Sequence, residues 1–262
     1  NASENAEQLQ TVVAGLSHGQ TLLRQTSNIG QAAALNLGLE TLRVQSRELA
    51  LLLDQDSTIT PGFCAGMLRA WDEAQMQVPG QVGAIGPRLE DPASGRRVPF
   101  RSFDQLFDRS ERASGPSGQL VQADFLITSG SLIPIAALAK IGLMRADYFI
   151  DNVDLEWCFR ARSMGFSVFG TDHAHLHHRI GEASTNYLVR KGFVVQHNAL
   201  RFYYSTRNRL HLHRQPYSPR NWRLKDGVRF VLKTSYLMLT SPNRRAYWAS
   251  LRRALKDVDS LP

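Results

Sequence analysis

Two aspartates that directly follow an apolar run are the first candidates for chemistry in this chain. Residues 49–53 are apolar on both faces, which predicts a strand buried in a parallel sheet, and Asp54 and Asp56 come straight after it. Side chains alternate along a strand, so both carboxylates point the same way, at the sheet edge where open α/β sheets bind ligands. The pair could hold a divalent cation against a substrate diphosphate, or it could cap the next helix.

A second acidic segment begins a predicted helix. An aromatic and apolar lead-in, residues 148–150, precedes Asp151, and Asp154 and Arg162 follow at helical spacing that would let the three share a site. A carboxylate held in a substrate cleft can remove the proton from an attacking hydroxyl. The alternative is an acidic first turn with ordinary pairs between residues four apart.

The histidines allow a metal site but favour a structural reading. His173, His175 and His177 alternate, so they would share one face of a strand, yet no cysteine accompanies them as in common zinc sites. His178 differs because a glycine turn follows it. A neutral imidazole at that position could complete a site begun by Asp56.

Composition and charge narrow the class of protein. The 262 residues have ordinary apolar and charged content, no apolar run approaches the roughly 20 residues of a membrane span, and the two cysteines make no disulfide framework, which predicts two inert core thiols in a reducing cytoplasm. Residues 201–262 carry 14 Lys/Arg against 3 Asp/Glu, whereas the other 200 residues carry 17 against 20. A basic C-terminal quarter favours a phosphate-rich partner, either nucleic acid, an anionic membrane or a pyrophosphate-bearing substrate; a solvated helical surface is the alternative.

The order of predicted elements indicates an α/β fold. Helices are expected near residues 9–16, from Asn28 as a candidate N-cap, and over 62–75, 134–141 and 151–164. Strands are expected over 48–53, 82–86, 121–126 and 167–171, with a long loop over 90–118. The chain from residue 193 onward reads as largely helical. We therefore expect two regions, 1–192 and 193–262.

Four segments in this order resemble glycosyltransferase family 2. They are residues 54–57, 128–131, 149–157 and 178–181, and within the family the chain is similar to bacterial rhamnosyltransferases of cell-surface polysaccharide assembly. The resemblance implies a Rossmann-like GT-A fold, a three-layer α/β/α sandwich around a mixed, mostly parallel sheet, followed by a basic helical region. Because family members begin with two further strands, the catalytic region 1–192 is expected to be incomplete at its N-terminus.

The resemblance also implies a reaction and a metal site. The expected reaction is inverting transfer of a sugar, L-rhamnose from dTDP-L-rhamnose, to a saccharide acceptor that could be linked to polyprenyl diphosphate. Asp54, Asp56 and His178 would hold Mg²⁺ or Mn²⁺ on the donor diphosphate. Related enzymes often carry Glu-Asp where this chain has Asp151 followed by an uncharged residue. Asp151 is therefore the expected base, with Asp154 in reserve.

The remaining site residues are implied in two groups. The nucleotide-sugar would be contacted by Asn28, Gly30, Asn36, Asp54, Gln55, Asp56, Arg201, Tyr204 and Arg207. The acceptor would be contacted by Thr128, Ser129, Gly130, Ser131, Glu156 and Trp157. Both groups combine polar side chains with glycines that allow close approach of a ligand.

Three alternatives stay open. Apolar residues at helical intervals over 225–239 could pack on the core or rest on an anionic membrane, which would make a cytoplasmic protein peripheral to the inner face of the plasma membrane. The missing first strands would also suit a catalytically inactive scaffold. A nucleic-acid-binding protein is disfavoured because it would leave the paired aspartates unexplained, so no nucleic-acid partner is expected.

Overall fold

The computed structural model describes residues 21–55, 57–92, 95, 97–103, 120–178 and 198–262. The predicted helix near residues 9–16, Asp56, and most of the predicted 90–118 loop lie outside these ranges. The helices are α1 (Gln31–Val44), α2 (Phe63–Gln77), α3 (Ile135–Ile141), α4 (Val153–Ser163), α5 (Ala199–Arg214), α6 (Arg220–Thr240) and α7 (Arg244–Asp257). The strands are β1 (Leu49–Leu51), β2 (Ser57–Ile59), β3 (Val82–Glu90), β4 (Leu120–Gln122), β5 (Leu132–Pro134) and β6 (Ser167–His178).

One six-stranded sheet forms the centre of the molecule. The strand order is β1-β5-β3-β6-β2, and β4 also pairs with β6. Only β3 and β6 run parallel, and the other four described pairings are antiparallel. The α/β class and the mixed sheet are confirmed, but the expectation of a mostly parallel sheet is wrong for the described strands. β1 is apolar on both faces although it pairs antiparallel with β5, so burial rather than strand direction explains its sequence.

Helices cover both faces of this sheet. On one face, Ala32 and Leu39 of α1, Leu138 of α3 and Trp157 of α4 pack into the larger core cluster. On the other face, α2 contributes the apolar residues that pack against β3 and β6. The result is the expected three-layer arrangement.

Close approach of α2 to the sheet depends on Gly66. A Cβ at this position would lie 2.1 Å from the backbone carbonyl oxygen of His173 on β6, so no larger residue fits without moving the helix. The predicted helix over 62–75 is therefore seated by its glycine as well as by Phe63 and Met67, both buried. Burial of each such side chain contributes on the order of 1.5–3 kcal/mol.

The basic C-terminal helices pack against α4. Phe159 of α4, Leu212 of α5 and Trp222 of α6 form one cluster, and a second joins α5, α6 and α7. The expected boundary between residues 192 and 193 lies outside the described ranges and stays a prediction. Among the described residues, no helix is both long and apolar enough to cross a bilayer.

Candidate functional site

The end of β1 meets two neighbouring strands at a small polar cluster. The backbone N–H of Asp54 donates to Ser129 Oγ at 3.3 Å, and the Ser129 and Ser57 hydroxyls share a hydrogen bond. Ser57 Oγ lies 3.1 Å from Nδ1 of His178, which is its register partner across β2 and β6. Asp54 and His178 therefore flank the same turn. Asp56 is outside the described residues.

The donor set at this turn is compatible with a divalent cation. A carboxylate and an imidazole are ligands that suit Mn²⁺, and carboxylate and water oxygens suit Mg²⁺. When His178 Nδ1 donates its proton to Ser57 Oγ, Nε2 carries the free lone pair that a metal requires. No group of three or more metal-ligating side chains lies together within the described ranges. Any further protein ligand at this turn would have to come from outside them.

The loop that carries Ser129 is fixed to β1 by its backbone. Leu52 N–H donates to the Ser131 carbonyl oxygen at 2.9 Å, and Gly130 N–H donates to the Leu52 carbonyl oxygen at 2.7 Å. The hydroxyl of Ser131 donates to the Ile127 carbonyl oxygen. The side chains at 128, 129 and 131 are buried in this structure, and the assignment of this segment to the acceptor stays a prediction.

The same loop reaches the second acidic segment. The backbone N–H of Thr128 donates to the carboxylate of Asp154, which also accepts from the backbone N–H of Leu155 at 2.8 Å. Burial raises the pKa of Asp154 to about 6, and the nearby charge of Asp151 adds to the rise while the backbone donors oppose it. Thr128 and Ser129 thus join the β1 end, with Asp54, to Asp154 and Asp151.

Asp151 lies in a turn of unusual backbone conformation. Phe149, Asp151 and Asn152 have φ angles of 63°, 64° and 61°, the left-handed region that is costly for residues with a Cβ. Such strain persists only where surrounding contacts impose it. The turn places Asp151 two residues before Val153, the first residue of α4.

Asn208 of α5 is the main restraint on that turn. Its Nδ2 donates to the backbone carbonyl oxygens of Tyr148, Ile150 and Asp151 at 2.8, 2.9 and 3.0 Å. The residue is fully buried, and its Oδ1 accepts from the Arg207 guanidinium. Sequence reasoning assigned no role to Asn208; the only signal was a polar pair, 207–208, on the apolar side of a helix.

Arg201 and Tyr204, also from α5, complete the surroundings of the turn. The guanidinium of Arg201 forms an ion pair with Asp151, with donor–acceptor distances of 2.9–3.2 Å. The ring of Tyr204 stacks on Phe149, with ring centroids 4.7 Å apart. Both residues were expected near the nucleotide-sugar, and both lie beside the expected base.

The N-terminus of α1 packs against the same turn. Gln31 N–H donates to the Phe149 carbonyl oxygen at 2.7 Å. Gly30 has φ 84°, and a Cβ there would lie 2.5 Å from Phe149 Cδ2. Gly30, not Asn28, is the N-cap of α1; exposed Asn28 instead accepts a hydrogen bond from Gly30 N–H at 3.0 Å. The 28–30 segment is therefore adjacent to the turn.

Two residues expected to contact the nucleotide-sugar are structural. Asn36 exchanges hydrogen bonds of 2.8 and 2.9 Å with the backbone of Met144, which occupies both ends of its amide. Arg207 is buried and donates to the Asp147 carbonyl oxygen and to Asn208. Both side chains are engaged within the protein in this structure, and their assignment to the nucleotide-sugar stays a prediction. Gln55 is exposed at the turn after β1.

Two residues expected on the acceptor side are also structural. Glu156 is fully buried and accepts from Arg160 at 2.8 and 3.0 Å and from the Tyr217 hydroxyl at 2.8 Å. Trp157 is buried and donates from Nε1 to the Gly142 carbonyl oxygen. Both assignments are corrected because the side chains point into the interior.

Two other expectations also fail. Arg162, expected to share a site with Asp151 and Asp154, forms an ion pair with Asp124. Cys64, expected in the core, is exposed.

Two of the three alternating histidines lie near carboxylates of the protein. His173 Nε2 lies 2.8 Å from Glu73, and His175 Nδ1 lies 3.8 Å from Glu90.

An apolar cavity of about 200 Å³ adjoins the Ser129 side of the site. Phe100, Phe125 and Leu126 form much of its wall.

Comparison with known proteins finds similarity to glycosyltransferases. No family model matches the chain. It is 26% identical over 221 residues to the dTDP-rhamnosyl transferase RfbF of Shigella flexneri, covering 84% of this chain and 72% of that protein. Among solved structures it is similar to the TarS enzyme of S. aureus in complex with UDP-GlcNAc, with TM-score 0.55, 13% identity and 99% of this chain aligned to 72% of that one.

A second solved structure has the same fold. GalNAc-T7, crystallised with UDP, GalNAc and Mn²⁺, aligns with 99% of this chain at TM-score 0.53 and 11% identity. This chain spans about half of that protein, 49% of its length. These similarities establish the GT-A fold that the sheet and its two helical layers had indicated.

Proposed function

We propose that this chain, a glycosyltransferase with the GT-A fold, transfers L-rhamnose from dTDP-L-rhamnose to a hydroxyl of a saccharide acceptor. The observation that carries the proposal is the convergence of Asp54, Asp154 and Asp151 through two adjacent loop residues, Thr128 and Ser129. The donor is inferred from the relative named as a dTDP-rhamnosyl transferase. Asp151 is held beside this site in a left-handed backbone conformation, which an inactive scaffold does not require.

The reaction we propose is a single displacement with inversion. The acceptor oxygen attacks the anomeric carbon, the bond from that carbon to the diphosphate oxygen breaks, and the electron pair leaves with dTDP. Asp151 takes the proton of the acceptor hydroxyl. A positioned general base of this kind contributes roughly 10²–10⁴-fold to the rate.

The β1 end is the proposed metal and diphosphate side. Asp54, His178 and the sequence-adjacent Asp56 would hold Mg²⁺ or Mn²⁺, and GalNAc-T7, which has the same fold, was crystallised with Mn²⁺. When bound, a divalent cation offsets the negative charge that develops on the diphosphate leaving group. The hydrogen bond from His178 to Ser57 orients the imidazole for this role.

Arg201 has two roles in this proposal. Without ligands it is paired with Asp151, and its exposed guanidinium has the fork geometry that suits phosphate oxygens. A bound diphosphate would compete for Arg201 and release the Asp151 carboxylate to the acceptor. Access of the base to its proton would then depend on the donor being present.

The acceptor is proposed to be a saccharide presented at a membrane surface. On α6, the apolar residues that follow one helical stripe are exposed rather than packed on the core: Leu224, Val228, Val231, Leu232 and Leu239. Exposed arginines accompany them on α6 and α7. An apolar stripe bordered by cations suits the interface of an anionic bilayer, which supports a cytoplasmic protein that is peripheral to the membrane.

Two measurements test these proposals. Asp151→Asn should lower turnover of dTDP-L-rhamnose by about 10²–10⁴-fold while its binding, measured by calorimetry, is retained. Wild-type protein that binds the donor but neither transfers nor hydrolyses it with Mn²⁺ would instead be a scaffold.

The membrane proposal is tested at the exposed stripe of α6. The double variant Val231→Asp/Leu232→Asp should abolish flotation with anionic vesicles, and equal flotation of this variant would contradict membrane docking.

A further inference from the structure

Four cations from two helices form one electrostatic cluster, which Asp151 joins through its ion pair with Arg201. Arg201 and Arg209 come from α5, and Arg229 and Lys233 lie one turn apart on α6. The charges of these three arginines and of Asp151 all act on the Lys233 ammonium, which places it within the cluster. Arg209 lies 3.0 Å from Asp226, so the described residues contribute four cations and two carboxylates to the cluster. Within that part of the chain, the cluster carries a surplus of two positive charges.

Lys233 is only partly accessible to water. Its side chain is half-buried, and no carboxylate lies within ion-pair distance of its ammonium in the part of the chain that the structure describes. Burial, assisted by the three arginines, lowers the pKa of Lys233 to about 8. Holding a cation under these conditions is unfavourable unless an anion is bound there.

Unsatisfied polar atoms occur on the same two helices. Arg209 Nε is buried without a hydrogen bond in good geometry, although it is at ion-pair distance from Asp226. Thr206 Oγ1, one turn before Arg209, and Thr234 Oγ1, next to Lys233, are also buried without a hydrogen-bond partner among described atoms. Buried donors normally have partners, so their concentration here indicates a place where a ligand or ordered water supplies acceptors.

We propose that Lys233, Arg209 and Arg229 form an anion subsite that binds a phosphate group of a ligand held next to Asp151. Guanidinium and ammonium donors that converge with a net surplus of charge are the groups that recognise phosphate. The identity of the ligand rests on the proposed function, but the existence of the subsite does not. The subsite lies at the α5–α6 end of the site, whereas the proposed metal lies at the β1 end.

Two different ligands could supply the phosphate group that this subsite binds. The phosphate could belong to the leaving nucleoside diphosphate, or it could join the acceptor saccharide to a lipid. The second source has support from α6, since Lys233 follows Val231 and Leu232 of the exposed stripe directly in sequence. A lipid in the bilayer would bring its phosphate to the protein at that level.

Calorimetric titration with two probes distinguishes these sources without any turnover. The probes are dTDP with Mn²⁺ and geranyl diphosphate, a soluble prenyl diphosphate. Lys233→Gln should weaken binding of at least one probe tenfold or more, and Lys140→Gln, at an exposed position of α3, is the matched control. A loss confined to dTDP assigns the subsite to the donor, and a loss confined to geranyl diphosphate assigns it to the acceptor. Unchanged affinity for both, or no binding of either by wild type, overturns the subsite.

The pH dependence separates an electrostatic role of Lys233 from a packing role. Affinity of the wild type for the responsive probe should be full below pH 8 and should fall between pH 8 and 9.5, because the ammonium loses its proton. Guanidinium groups stay charged over this range, and diphosphate is already fully ionised. Lys233→Arg should therefore bind with affinity that is independent of pH. A wild-type affinity that does not change would contradict the proposal.

Discussion

The side-chain amide of Asn208 lies 3.0 Å from the backbone carbonyl oxygen of Asp151 and holds two further carbonyls of the same turn. One buried amide thus satisfies three acceptors, and its own oxygen is satisfied by Arg207. Among the described residues, no other side chain donates to as many backbone carbonyl oxygens of this turn. The position of the expected base therefore depends on a residue 57 positions away in sequence.

Asn208→Ala should lower turnover by more than the loss of folded protein alone would explain. The variant removes the amide donor from the Ile150 and Asp151 carbonyl oxygens, whereas the Tyr148 carbonyl oxygen keeps the Ile150 N–H at 2.7 Å. A carbonyl left without a donor costs roughly 1–3 kcal/mol, and the turn is free to relax. We expect at least a tenfold loss of kcat per folded molecule with donor affinity within threefold. Asn221→Ala, which removes an amide that donates to the Phe103 carbonyl oxygen rather than to the turn, is the control. Full kcat in folded Asn208→Ala would show that the turn positions itself.

Gly30→Ala and Gly38→Ala should have opposite effects although both lie at α1. A methyl group at Gly30 would collide with the Phe149 ring and its carbonyl oxygen, at 2.5 and 2.7 Å, in a backbone with φ 84°. A methyl group at Gly38 meets nothing within 4 Å. Thermal denaturation should show Gly30→Ala destabilised by about 2 kcal/mol or more, and Gly38→Ala stabilised by roughly 0.5–1 kcal/mol.

The activity of Gly30→Ala tests whether α1 helps to position Asp151. Because the clash falls on Phe149, two residues before Asp151, kcat should fall in folded Gly30→Ala and stay at wild-type level in Gly38→Ala. Equal activity in the two variants would mean that α1 does not help to place the base.

Glu156→Gln should damage stability and leave chemistry intact. The substitution removes the charge from a fully buried carboxylate that pairs with Arg160 and accepts from Tyr217. Breaking a buried pair on one side typically costs about 3–5 kcal/mol, reduced here because Arg160 retains some exposure and two carbonyl partners. Urea denaturation measures the loss. A change in the KM for the acceptor with unchanged stability would restore Glu156 to the acceptor site.

The sequence predicted the elements better than the side-chain directions. Apolar periodicity located α2, β3 and α4 within a few residues, because burial on one face controls that pattern. It also placed Asp54 at the end of a strand and Asp151 before a helix. Whether Glu156 or Arg207 faces a ligand depends on which neighbours lie across the helix, and those are set by contacts far apart in sequence. From the sequence alone, an acidic residue that contacts a substrate cannot be distinguished from one, such as Glu156, that pairs with Arg160.

The direction of the strands could not be predicted from the sequence for a similar reason. A strand that is apolar on both faces, such as β1, is equally suited to parallel and antiparallel neighbours once helices cover both sides. The role of Asn208 was also missed because its three partners lie in a turn nearly sixty residues earlier. The exposed stripe of α6 was detected as a helical pattern, but only the structure separates exposure from packing.

Asp154→Asn should stabilise the fold at neutral pH. The pKa of Asp154 rises from its ordinary value of 3.8 to about 6 in the folded protein, so the folded state binds more protons than the unfolded state between these values. Stability therefore falls as the pH rises from about 4 to 6 and stays lower above 6. The cost at pH 7 is roughly 1–3 kcal/mol. An amide keeps an acceptor for the Thr128 and Leu155 N–H groups without the buried charge.

Urea denaturation at pH 4 and pH 7.5 measures this effect. The wild type should lose stability relative to Asp154→Asn between the two pH values, and Asp259→Asn, a change at an exposed carboxylate, should follow the wild type. The same proteins also separate the two candidate bases. If Asp151 is the base, Asp154→Asn keeps kcat within about tenfold of wild type, since it perturbs only the electrostatic surroundings. A 10²–10⁴-fold loss in Asp154→Asn, with Asp151→Asn near wild type, would transfer the role of base to Asp154.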